Sequence, residues 1–131
     1  SRALALAEDS YNHARTNTYH IESYFRCLVR TPMPDRQVLR QLITEMYHSQ
    51  DVHKKVIGGT MEAEYEFYVN GNIQDSFKRI EDILETTTNS YRNYPLRSLR
   101  EMCKSMDNLS YYRKVVSRQG IDENLYFDEN D

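Results

Sequence analysis

The sequence has no tryptophan, two cysteines, three prolines, four glycines and no long apolar run. Each shortage removes a class of answer. A bilayer-crossing helix needs roughly 20 consecutive apolar residues, so no membrane partner is expected. Cys27 and Cys103 match neither a metal-ligand spacing nor a redox pair. They read as separate thiols, with a disulfide as the alternative. The amino terminus, SRALALAEDS, lacks the apolar centre of a secretory signal and reads as the first turns of a helix. No glycine-rich phosphate loop is present, because Gly58-Gly59 lacks both the spacing and the lysine of one.

Histidine is also sparse. His13 and His20 are seven apart, about 10 Å along a helix axis, too far to grip one ion. Glu45-Met46-Tyr47-His48 gives half of the Glu-x-x-His pattern found in bundles that bind paired metals. The second half is missing, since Glu101 is followed three positions later by Lys104. No metal or other cofactor is therefore expected, and no catalytic residue is assigned. His53 falls on an apolar stripe, which points to an imidazole at the core edge with a hydrogen-bonding neighbour, or to a pH-sensitive contact.

What is present is helical periodicity. Leu4, Ala7, Tyr11, Ala14, Thr18, Ile21, Phe25 and Leu28 recur at steps of three and four, which predicts a helix from about 2 to 30. Thr16-Asn17-Thr18 is its weak point. Thr31-Pro32-Met33-Pro34 ends it, because proline removes an N–H and turns its predecessor away from helix. Asp35 can cap a second helix with Leu39, Leu42, Met46, His53 and Val56 inward, ended by Gly58-Gly59. Thr60 can cap a short third helix over about 60–69, broken by Asn70-Gly71-Asn72. A fourth runs from Ile73 to Tyr91 through Phe77, Ile80, Leu84 and Thr87, and Tyr94-Pro95 closes it. A fifth runs from Leu96 to Gln119 with Leu99, Met102, Cys103, Met106, Leu109 and Val116 inward, and Gly120 stops it.

These segments predict an all-α fold: an antiparallel bundle of four long helices, one additional short helix and an acidic C-terminal tail. Residues 1–120 form the bundle domain and 121–131 the tail. A chain of 131 residues buries roughly two-thirds of its unfolded surface, enough to stand without staples.

Two features point outward. On the last helix six cations oppose Glu101 and Asp107, and Arg97, Arg100, Lys104, Tyr111 and Arg118 share one outer stripe. Such a stripe suits an acidic protein, or phosphates with Tyr111 stacked on a base. The tail sets Leu125, Tyr126 and Phe127 among five carboxylates, a composition suited to a peptide that orders on a partner. Eleven tyrosines add side chains with an apolar body and a polar tip, which favour interfaces.

The function expected from these residues is a non-enzymatic helical protein–protein interaction module: an adaptor, scaffold or small regulatory protein. Its partner is another protein, or a second copy meeting the stripe of the long first helix. The alternatives are a nucleic-acid-binding bundle using the basic stripe, and a secreted cytokine-like signal with a Cys27–Cys103 bond. No residue fixes the compartment, and the intracellular side is favoured.

Overall fold

The computed structural model describes residues 2–122, apart from the side chains at 89 and 90. The described residues are all-α, with no strand among them: α1 (Arg2–His13), α2 (Thr18–Val29), α3 (Arg36–Tyr47), α4 (Val52–Tyr68), α5 (Ile73–Thr86), α6 (Asn93–Ser105) and α7 (Leu109–Arg118). A 3-10 turn, Asn89–Arg92, joins α5 to α6. None of the helices is long and apolar enough to cross a membrane. Helix α4 is the hub, packed against α2, α3, α5 and α6.

The expected bundle is present, but its long helices are divided where a side chain can cap a new start. Asn17 accepts from the N–H groups of Tyr19 and His20, ending the continuity of the first helix and opening α2. His13 and His20 thus lie on different helices. Asp35 accepts from Gln37 and Val38 as the sequence suggests. Asp51 does the same for His53 and Lys54, so α4 begins well before Gly58. Each such cap satisfies N–H groups that a helix start leaves bare, and contributes about 1 kcal/mol.

Gly58-Gly59 is therefore not a helix stop but the middle of α4. The reason is close packing. A Cβ on Gly58 would lie 3.0 Å from the Met46 Cβ and 3.3 Å from the Tyr47 backbone nitrogen of α3, while one on Gly59 would lie 3.1 Å from the Ile83 Cδ1 of α5. The two glycines let α3 and α5 approach α4 from different sides. Nor is Thr60 a cap, since its hydroxyl donates to the Val56 carbonyl as a mid-helix threonine does. Restarting the helix at Asp51 also shifts the stripe: Ile57, Met61 and Tyr65 point inward and His53 is exposed, its ring 5.3 Å from that of Tyr91.

Helix α5 stops five residues short of Tyr91. The Arg92 side chain reaches back to its end, donating to the carbonyls of Leu84 and Thr87. Tyr91 is consequently exposed rather than inward. Tyr94-Pro95 opens α6 instead of closing α5, because proline in a first turn forfeits no intrahelical bond. The last expected helix divides at Asp107, which takes the left-handed conformation at φ 55°. There the Asn108 N–H bonds the Cys103 carbonyl and the Asp107 N–H that of Lys104, closing α6 and leaving Met106 exposed. Gly120 closes α7 by the same pattern, with Ile121 bonded to Val116 and buried. Because a side chain is strained at positive φ, Asp107→Gly is expected to raise stability by about 0.5–1 kcal/mol, whereas Asp107→Val lowers it; urea midpoints of the two variants check this.

Two clusters form the core. Tyr11, Phe25, Leu39, Ile43, Met46 and Met61 belong to the first, drawn from α1 to α4. Phe77, Ile80, Leu84, Leu99, Cys103 and Val115 belong to the second, which Ala63 of α4 joins. Leu39, Ile80 and Leu99 are fully buried. Of the stripe of the first expected helix, Tyr11, Ile21, Phe25 and Leu28 are buried in the first cluster, and Leu4 and Ala7 pack against it partly buried. Cys27 and Cys103 are separate thiols, and burial raises that of Cys103 to about 11.

Candidate functional site

A groove lies beside the second of the two α4 glycines. A hollow of about 410 Å³, with Gly59 in its lining, lies between the end of α3, the first half of α4 and the second half of α5. Tyr47, Val52, Val56 and Ile83 supply its apolar surface, and Thr86 and Thr87 close one end. Two of the large apolar side chains that the fold leaves exposed, Tyr47 and Val52, stand on this rim. Lys55 and Arg79 flank it against the single carboxylate of Asp82. Arg79 is steadied by Asp75 one turn back, at 2.7 Å. The Thr86 hydroxyl is engaged with the Asp82 carbonyl at 3.0 Å. This lining offers apolar contact edged by Lys55 and by the Arg79–Asp75 pair rather than a nucleophile beside a base.

The basic stripe is divided with its helix. Arg97, Arg100 and Lys104 come together on α6 around Glu101. Tyr111 and Arg118 are on α7 and turn to α5. The Tyr111 ring stacks on Phe77 with centroids 5.0 Å apart, and its hydroxyl donates to Glu81 at 2.7 Å. Burial first, then Glu81, pushes that hydroxyl up to about 12. Arg118 pairs with the other oxygen of Glu81. Tyr111 is thus half-buried and stacked within the fold. Leu125, Tyr126 and Phe127 lie outside the described residues. Glu45 accepts from the Tyr11 hydroxyl at 3.2 Å, which ties α3 to α1.

A second constellation is polar and largely buried, and no local sequence motif marks it. Glu64 of α4 is only 1% exposed, between α2 and α6. One of its oxygens, Oε1, accepts from the Tyr94 hydroxyl, and Oε2 lies 3.6 Å from the Arg30 guanidinium. Burial drives the carboxyl up to about 7, opposed chiefly by Arg30 and then by the Tyr94 hydrogen bond. Tyr94 itself is held well above its ordinary value, first by burial and then by the Glu64 charge. Glu22 on α2 is likewise raised, mainly by burial. Glu64 stands in step with Ile57, Met61 and Tyr68, so continuing that stripe through the glycines would have found it. A small cleft nearby, about 170 Å³, is lined by Glu22, His53, Asn93, Tyr94 and Arg97; Glu64 is not in its lining.

Comparison with known proteins adds no relative: no family model, no curated protein and no solved structure matches the chain.

Proposed function

We propose that this chain is a non-enzymatic protein-binding module, whose groove between α4 and α5 receives an apolar segment bearing acidic residues from another protein. The supporting observation is the groove lining, in which Tyr47, Val52, Val56 and Ile83 are edged by two cations and one carboxylate. Its volume falls in the range of about 300–1,000 Å³ usual for binding sites. An extended or helical segment would place apolar side chains in the hollow and carboxylates near Lys55 and Arg79, the arrangement of helix-in-groove recognition. With Arg79 already paired to Asp75, Lys55 then sets orientation and association rate more than affinity.

Fluorescence anisotropy with two labelled peptides tests this reading, one alternating Leu and Phe with Asp and Glu, the other with Lys replacing the acids. The acidic peptide is expected to bind, and Val52→Asp to weaken it about tenfold or more through repulsion and lost apolar contact. That substitution sits in the first turn of α4, where a carboxylate suits the helix dipole, so folding is preserved. Equal affinity for both peptides, or indifference to Val52→Asp, rejects the groove. Binding of nucleic acid that falls steeply with salt and with Arg100→Glu would favour the basic side chains of α6 instead.

A further inference from the structure

We propose that Arg30, Glu64 and Tyr94 form a proton-operated brace, in which uptake of one proton at Glu64 frees Arg30 from that carboxylate and leaves it paired with Glu101 on α6. One nitrogen of Arg30 already reaches both carboxylates. The Arg30 Nη2 stands 3.6 Å from Glu64 and 3.9 Å from Glu101. The rest of the side chain is anchored, with Nη1 donating to the Arg26 carbonyl at 2.8 Å and the guanidinium 4.8 Å above the Tyr68 ring. A small rotation therefore changes the carboxylate served without moving the stem.

The two carboxylates differ in their surroundings. Glu64 is buried, whereas the Glu101 side chain is about half exposed (52%). While Glu64 is ionised, its charge has no water to satisfy it and holds Arg30. The Tyr94 hydroxyl occupies Oε1, so an incoming proton from solvent forms its O–H bond on Oε2, the oxygen facing Arg30. Two donors then confront each other, and Arg30 turns to Glu101. Tyr94 keeps its acceptor throughout and Arg30 keeps its place on the Tyr68 ring, so the three helices stay joined while the ion pair shifts toward Glu101.

The groups bearing on Glu64 come from each side of the network. Helix α2 presents Glu22, Arg26 and Arg30, α4 itself Tyr68, and α6 Tyr94 and Glu101. Glu22 opposes ionisation of Glu64, while Arg30 and Arg26 favour it. Glu22 in turn feels Arg26, Arg97 and His53. Burial is the largest influence and carries Glu64 from 4.5 to about 7. The folded chain therefore holds this proton more firmly than the unfolded one. Glu64's own contribution to the folding constant is largest below pH 4.5, falls as pH rises to about 7 and then levels, by up to about 300-fold (ten to the power of 7 minus 4.5).

Urea unfolding of the full chain and of Glu64→Gln, from pH 5 to 8.5, tests the titration. Glutamine keeps an acceptor for Tyr94 and cannot ionise. The variant's folding constant relative to the parent is expected to rise by about 30-fold or more across that range; a flat ratio overturns the proposal. A double-mutant cycle of Arg30→Met and Glu101→Gln then tests the handover, with coupling expected to be about threefold or more stronger at pH 5 than at 8.5. Equal coupling at both values overturns it. Should Glu64→Gln fail to fold, the Glu64 carboxyl carbon resonance of the parent must titrate near 7, and a midpoint near 4.5 contradicts the brace.

Discussion

Gly58→Leu is expected to lose about 3 kcal/mol or more of stability, because its Cβ alone would sit 3.0 Å from the Met46 Cβ and 3.3 Å from a backbone nitrogen of α3. Neither atom is the free end of a side chain, so α3 must move away from α4 and open the first core cluster. Gly59→Ala, one residue on, is the matched control. Its Cβ meets the Ile83 Cδ1 at 3.1 Å, a terminal methyl able to rotate aside. The helix-propensity gain of about 0.5–1 kcal/mol is then retained in part, and the variant is expected to be neutral or slightly stabilised. Chemical denaturation of the pair measures both signs. Equal losses at the two positions would mean that α4 does not run straight between α3 and α5.

Arg30→Met is expected to cost about 3 kcal/mol at pH 8 and about 1 kcal/mol at pH 5. Arg30 is the principal group holding the Glu64 carboxyl down. Without it the folded carboxyl rises further above about 7, and the slope of stability against pH extends to higher pH. At pH 8 the variant must either bury an unpaired charge or protonate against the solvent. At pH 5 the parent's Glu64 already carries its proton, so what is lost is the stacking on Tyr68, the Glu101 pair and the part-buried hydrogen bond to the Arg26 carbonyl. The figure at pH 8 is taken from the low end for a broken buried pair because the Arg30 side chain is 28% exposed. Parallel urea titrations at the two pH values measure the difference, and identical losses at both would remove Glu64 as the titrating group.

The core stripes were legible because burial depends on periodicity. Leu39, Ile80 and Leu99 recur at helical steps with their neighbours and are fully buried. Helix boundaries were less so. Gly58-Gly59 carries two meanings, a left-handed terminus or a close approach, and only the positions of Met46 and Ile83 decide between them. Asp107 has no glycine to mark it, yet takes a positive φ because the α6 carbonyls need partners there. Asn17 and Asp51 are strong capping residues, and giving their side chains more weight than the run of apolar spacing would have found both breaks.

The groove and the polar network were not legible for a different reason. Each is assembled across helices distant in sequence. Glu62, Glu64 and Glu66 alternate along one segment, and nothing local shows that only the middle one is fully buried. Likewise helical spacing places Tyr111 on an outward stripe, whereas Phe77 and Glu81 of α5 occupy its ring and hydroxyl.

The most direct test of the docking surface is a map of amide chemical-shift changes in the full chain as the acidic apolar peptide is added. The groove predicts saturable changes at Val52, Lys55, Val56, Gly59, Ile83 and Thr86. Changes gathered instead at Arg97, Arg100 and Lys104, with the α4–α5 groove silent, would contradict it.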